Sequence, residues 1–356
     1  MLDVNKREQI SIQIIRVLKV RFTKFPDDAE ANRNAPFHES FLKAFSEKLK
    51  KGVTDIPYFI SLSSWLHGLN TTLGQSFFEN TAHILSSGQK RSFKGQKISK
   101  KQKQVISNII TDLKNSARKP DVTAENKLLF GAFEGDNELV DAFDFQADNI
   151  IIDEPKGFVE AIELKSVRPN SGEMRGEKQK ILNGKAVLKK LYPGKEIRFF
   201  IGFPFDPLNE EPTGYDKVRF KSHLIEMDIF FANDEILIAD ELWDRLSESS
   251  GTMKEILGLI NAVSTKDFNA KFDFVNDPEN IFVDRERYNS ILDDWNLKRD
   301  AWIVRNLSRI EKNLEESKYR RIFSRKLFKE RSLGNSDNYS VEYDYERYMA
   351  IKALFV

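Results

Sequence analysis

The chain contains no cysteine. Disulfides, thiolate-bound zinc and cysteine nucleophiles are thereby excluded, and the composition suits a reducing, cytoplasmic setting. Histidine is scarce as well: His38, His67, His83 and His223 stand in no H-E-x-x-H or comparable metal-binding spacing. No apolar run approaches the roughly 18 residues that a membrane helix needs, so no membrane partner is expected. Residues 1–24 are charged and amphipathic, unlike a secretion signal. Excess charge of one sign is also missing. Lys and Arg number 56 against 55 Asp and Glu, a net charge of +1 that exerts no global pull on nucleic acid. No internal repeat or low-complexity tract appears.

What remains is a chain of 356 residues, 40% hydrophobic and 31% charged, enough for one large or two modest soluble domains with ample core. Its charge is local. Gly88–Gln104 carries seven Lys or Arg and no acid, and Lys298–Arg331 carries twelve against five acids. Basic clusters on a neutral protein suit phosphate contacts, and equally suit solvated loops and helix faces.

The most informative stretch is Val140–Val167. Two apolar runs, Asn149–Ile152 and Phe158–Ile162, flank Glu154-Pro155-Lys156-Gly157, the pattern of a β-hairpin around a Pro/Gly turn. With Asp153 facing Phe158, outward counting pairs Ile151 with Glu160, Asn149 with Ile162, and Asp148 with Glu163. Alternation puts Glu163 and Lys165 on one face, and directly opposed Cβ atoms lie about 4.5–5.5 Å apart. The hairpin therefore gathers Asp148, Glu163 and Lys165. Two carboxylates that close repel unless a cation intervenes, and Mg²⁺ takes such oxygen ligands while keeping several waters. A lysine beside it can position or deprotonate a water and stabilise charge on a phosphate. Asp144 shares the strand face of Asp148, with Asp141 nearby, so a bulge or another turn would promote Asp144 to the metal ligand.

These residues resemble the PD-(D/E)xK nucleases, whose signature is an Asp on one strand and Glu-x-Lys on the next; Ala147 stands where the family name has Pro. Glu79, on a helix expected over Thr72–Ser87, resembles the helical Glu that many of these nucleases use for a metal water or a second ion. The bland alternative pairs it with His83 at i+4.

Other helices are expected at Asp3–Lys24, Phe37–Lys51, Ile56–His67, Gln102–Ala117 and Glu177–Leu191. Leu128–Phe133 leads into the sheet, Ile197–Gly202 is a buried strand reached by a parallel crossover, and Ile236–Asp240 is another strand, with Asp240 capping a helix. The fold class is α/β, a mixed central sheet flanked by helices. Its regions are a helical 1–70, a catalytic core at 71–250, and a mainly helical 251–356 for DNA contact or dimerisation. In that last region Trp295–Lys329 reads as a long charged helical region with Arg305, Arg309, Arg320, Arg321 and Arg325 among aromatic residues. Lys178, Gln179, Lys180 and Lys185, with Arg168 and Arg175 in the preceding loop, are placed to meet a phosphate backbone. Gln179 also resembles the polar residue that supports the catalytic lysine in some of these nucleases.

Five stretches are similar to one restriction-enzyme family, the TdeIII type: Gly74–Glu79, Phe143–Asp148, Ile162–Lys165, Glu177–Ile181 and Gly202–Pro207. The resemblance implies a type II restriction endonuclease that needs Mg²⁺ and cuts double-stranded DNA at a GG-N-CC palindrome, leaving a 5′-phosphate. A palindrome is read best by a homodimer. A repair or junction-resolving nuclease of the same fold, and a non-catalytic DNA-binding protein, are the rival readings.

Overall fold

The computed structural model describes residues 1–26, 42, 56–132, 138–165, 173–313, 315–332 and 339–353. The helix expected over Phe37–Lys51 lies, but for one residue, outside them, and so does Arg168. Chain contacts divide the protein into two compact units, Met1–Leu2 with Phe78–Ile256, and Asp3–Phe77 with Leu257–Val356.

The second unit contributes α1 (Val4–Thr23) and α2 (Ile56–Thr72). Asp3 caps α1 by accepting from the Lys6 amide, and Ile10 and Ile14 on its apolar stripe are buried. After α2 the chain is π-helical over Leu73–Phe78.

The first unit then begins with α3 (Glu79–Ser86). The stop comes at Ser87, whose φ of 56° is left-handed. The next residue must be small: a Cβ at Gly88 would collide with the Asn149 side chain and the Ile150 carbonyl. The basic segment follows as β1 (Gln89–Phe93), β2 (Lys97–Ser99) and α4 (Lys100–Lys114), strands that the charge pattern hid. Ser99 and Gln102 close a capping box at the start of α4. Leu128 and its neighbours do not lead into the sheet. They end α5 (Val122–Gly131), a helix opened by the Asp121 side chain accepting from the Ala124 amide.

Next come β3 (Leu139–Asp141), which pairs with β2, then β4 (Phe145–Asp153), β5 (Phe158–Leu164), α6 (Glu173–Leu191), β6 (Glu196–Phe203), α7 (Lys217–His223), α8 (Met227–Phe230), β7 (Ile236–Ile238) and α9 (Asp240–Ser247). Asp240 is the first residue of α9, not its cap; Ala239 holds that position without a side-chain bond. Among the described residues, five strands form one mixed sheet in the order β1-β4-β5-β6-β7. The first two pairings are antiparallel and the last two parallel. Along β5 every residue from Phe158 to Glu163 is buried, as a strand covered by helices requires.

The second unit resumes with α10 (Thr252–Val263), which spans the boundary, and continues through α11 (Phe268–Asn276), α12 (Asn280–Val283) and α13 (Arg285–Asp294). The helical region expected over Trp295–Lys329 holds three short helices, α14 (Lys298–Arg305), α15 (Leu307–Asn313) and α16 (Glu316–Phe323). A hairpin follows, β8 (Phe328–Ser332) with β9 (Tyr339–Tyr343), and then α17 (Tyr345–Lys352). Asn306 ends α14 by donating its amide to the Trp302 and Ile303 carbonyls. Burial of Phe328 against Phe272, with ring centroids 5.4 Å apart, holds β8 as a strand.

Candidate active site

The hairpin folds in the register that its turn dictates. Asp153 faces Phe158, Ile151 faces Glu160, and Asn149 faces Ile162, with Gly157 at a φ of 71° closing the turn. Glu160 turns to Arg245 of α9, which holds it by two hydrogen bonds of 3.0 and 2.6 Å. Glu163 points to the other side, as odd spacing along a strand requires. Just beyond the last paired residue, the Asp148 carboxylate accepts from the Leu164 amide at 2.9 Å. Lys165 donates its own amide to Gly202 of β6 and sets its ammonium 3.1 Å from Glu163. Asp148, Glu163 and Lys165 thus meet at one end of the sheet.

Two helices serve this cluster with polar side chains at i, i+4 and i+7, positions that share one helix face. On α3, Glu79 accepts from the Lys90 ammonium at 2.7 Å, and Ser86 donates to Asn149 at 3.2 Å. Between them, His83 Nε2 lies 2.7 Å from the Asp148 main-chain oxygen. A carbonyl only accepts, so that nitrogen carries the proton. The alternative pairing of Glu79 with His83 is therefore not the one adopted. On α6, Glu173 and Glu177 reach Lys165 at 3.6 and 2.8 Å, and Lys180 reaches Glu163 at 2.6 Å.

Burial and the neighbouring Asp148 charge push the Glu163 carboxyl above its ordinary value, against the pull of Lys180 and Lys165. Burial alone would lower Lys165, yet Glu163 and Glu177 outweigh it and hold the ammonium above the usual lysine range. Lys165 is therefore an ammonium that donates hydrogen bonds. Lys90 behaves alike: burial opposes, but Glu79, Asp148 and Glu163 keep it protonated.

Several sequence expectations are corrected here. Lys178 and Lys185 cannot touch a phosphate backbone. They are 0% and 1% exposed and are locked to Glu125 and Glu235 inside the unit. Lys180 is taken up by Glu163, as described. The helix residue that supports Lys165 is Glu177 rather than Gln179, whose main-chain oxygen accepts from Asn183. Asp144 is exposed and accepts from the Gly95 amide at 2.9 Å, which leaves Asp148 as the strand carboxylate that faces Glu163. Arg175 is exposed. In the second unit Arg305, Arg320 and Arg325 are paired with Asp293, Glu316 and Asp344, while Phe323 and Phe328 are buried. Lys90, His83 and Glu177 are the residues that sequence reasoning missed; the i, i+4, i+7 polar stripes on α3 and α6 carry His83 and Glu177, whereas Lys90 lies on β1 with no such signal.

Among the described residues, no three His, Cys, Asp or Glu side chains close into a metal cage. A magnesium ion needs none, since it binds through one or two carboxylates, waters and substrate phosphates. The donor set fits that habit. The Glu79, Asp148 and Glu163 carboxylates stand in one cluster with the Lys90, Lys165 and Lys180 ammonium groups. Glu163 Oε2, buried, makes no hydrogen bond of regular geometry even to Lys180.

Known proteins resemble this chain in sequence. Residues 3–264 match the model of the family described as type II restriction endonuclease, HinfI. The chain is 45% identical to the type II restriction enzyme MjaII of Methanocaldococcus jannaschii over 356 aligned positions, which cover 95% of each protein. The matching family is thus HinfI's, where the sequence motifs had suggested the TdeIII type. No solved structure matches.

Proposed function

We propose how this chain, which belongs to the HinfI family of type II restriction endonucleases, cuts double-stranded DNA: by Mg²⁺-dependent hydrolysis, with Asp148 and Glu163 holding the ion. One observation carries the reading, the meeting of Asp148, Glu163 and Lys165 at one end of the sheet. Enzymes of this kind generally use divalent metal ions. Bound there, Mg²⁺ supplies Lewis-acid polarisation of the scissile phosphate and lowers the pKa of a coordinated water.

Lys165 orients the attacking water and, as an ammonium, offsets charge that develops on the phosphate oxygens. Glu177 keeps Lys165 aimed, and His83 fixes the main chain that carries Asp148. Glu79 supports the same ion or a second one. The water oxygen bonds to phosphorus as the phosphorus–O3′ bond breaks, leaving a 5′-phosphate and a 3′-hydroxyl. Of the residues of α6 placed to meet DNA, exposed Arg175 and half-buried Gln179 remain for that contact. The proposed target is a GG-N-CC palindrome, read by a homodimer with one active site for each strand, in the cytoplasm.

Incubation of the purified protein with plasmid tests this reading. Mg²⁺ should give discrete fragments whose sequenced ends share one palindrome, and a chelator should stop the reaction. Cutting without a chelator effect would overturn the metal, and ragged ends would favour a repair nuclease.

A further inference from the structure

The Lys90 ammonium stands where a cation would. It lies 2.7 Å from Glu79 and 3.7 Å from Asp148, the carboxylates of α3 and β4 that the proposed function turns towards metal. Its side chain is 41% exposed, against 14% for each of those acids. The charge is therefore carried in from β1 on a flexible stem with a way out to solvent. Lys90 is also the only ammonium recorded between those two acids among the described residues, because Lys165 and Lys180 are directed to Glu163 and the acids of α6.

We propose that Lys90 is a tethered counter-ion of the metal site, which holds Glu79 and Asp148 together without metal and yields its place when a divalent cation binds. The inference rests on the metal reading given above and adds a competitor to it. A unit charge at this range opposes a second cation, so its removal strengthens metal binding. The same positive charge keeps two carboxylates from pushing α3 away from β4 in metal-free protein. On displacement, the ammonium is released towards solvent at the mouth of the site, where a DNA phosphate would meet it.

Calcium binding to DNA-free protein, measured by calorimetry, separates the possibilities. Ca²⁺ takes the same oxygen ligands and needs no turnover. Lys90→Met should bind Ca²⁺ about tenfold more tightly than the natural protein, a modest share of what one unit charge exerts near a protein surface. Lys90→Arg should bind like the natural protein, and Asp148→Asn should lose binding. If Asp148→Asn loses binding but Lys90→Met binds equally or less tightly, the counter-ion role is overturned while the metal site stands. If Asp148→Asn binds as the natural protein does, the metal reading itself fails, and this inference with it. Circular dichroism establishes that each variant is folded, and Lys90→Gln replaces Lys90→Met should the latter not fold.

Discussion

His83 on α3 holds the main-chain oxygen of Asp148 at 2.7 Å, so the helix grips β4 at the residue whose carboxylate faces Glu163. One turn earlier on that helix, Glu79 grips Lys90 of β1. The helix therefore fixes the depth at which the Asp148 carboxylate stands, although it supplies none of the paired strand residues.

Replacing His83 by Ala removes that grip without touching a proposed ligand. Cleavage should slow about 10–100-fold, the usual effect of losing a residue that orients a metal ligand. The far-UV circular dichroism should be unchanged. Single-turnover cleavage measures this; a rate equal to that of the natural protein would show that β4 needs no such anchor.

Glu177 reaches Lys165 at 2.8 Å. In Glu177→Gln the ammonium loses its strongest partner outside the strand, and cleavage should fall by about one to two orders of magnitude. DNA affinity in Ca²⁺ should be retained. Gln179→Ala, by contrast, should leave Lys165 in place and lose much less cleavage than Glu177→Gln. Equal losses in the two variants would contradict the assignment of Glu177 as the support.

Lys178, Lys185, Glu125 and Glu235 form a buried ionic cluster. Burial alone would raise the Glu235 carboxyl, but Lys178 and Lys185 outweigh it and hold it below its ordinary value of 4.5. A depressed carboxylate stabilises the folded state above the pKa of the unfolded chain, and that stability is lost as pH falls through the folded value. Glu235→Gln leaves buried ammonium charge unmatched and should cost about 3–5 kcal/mol near neutral pH. It should also remove Glu235's share of the decline in stability below pH 4.5. Denaturant unfolding at several pH values reads both. A stable variant with weakened DNA binding would instead restore Lys178 and Lys185 as phosphate contacts.

The hairpin and its register were legible because a Pro/Gly turn between two apolar runs fixes the pairing, and pairing fixes which side chains oppose. The stripe of α1, the start of α2 and the strands β6 and β7 were legible for the same reason, since their apolar periodicity has one reading. Strands β1 and β2 were not, because Gln89–Phe93 carries its charges on an edge strand with four of five residues exposed. Lys178 and Lys185 misled for the opposite reason. A lysine reads as a surface residue, and only the distant partners Glu125 and Glu235 make its burial possible. Lys90, His83 and Glu177 act through partners 11, 65 and 12 residues away in sequence, contacts that no local pattern specifies.

Whether Asp148, Glu163 and Lys165 act as one catalytic cluster is decided by Lys165→Ala, with cleavage and binding measured on the same duplex. Removing the ammonium should abolish cutting in Mg²⁺ while affinity for the target in Ca²⁺ and the folded circular dichroism persist. A Lys165→Ala protein that still cuts at the natural rate would contradict the account.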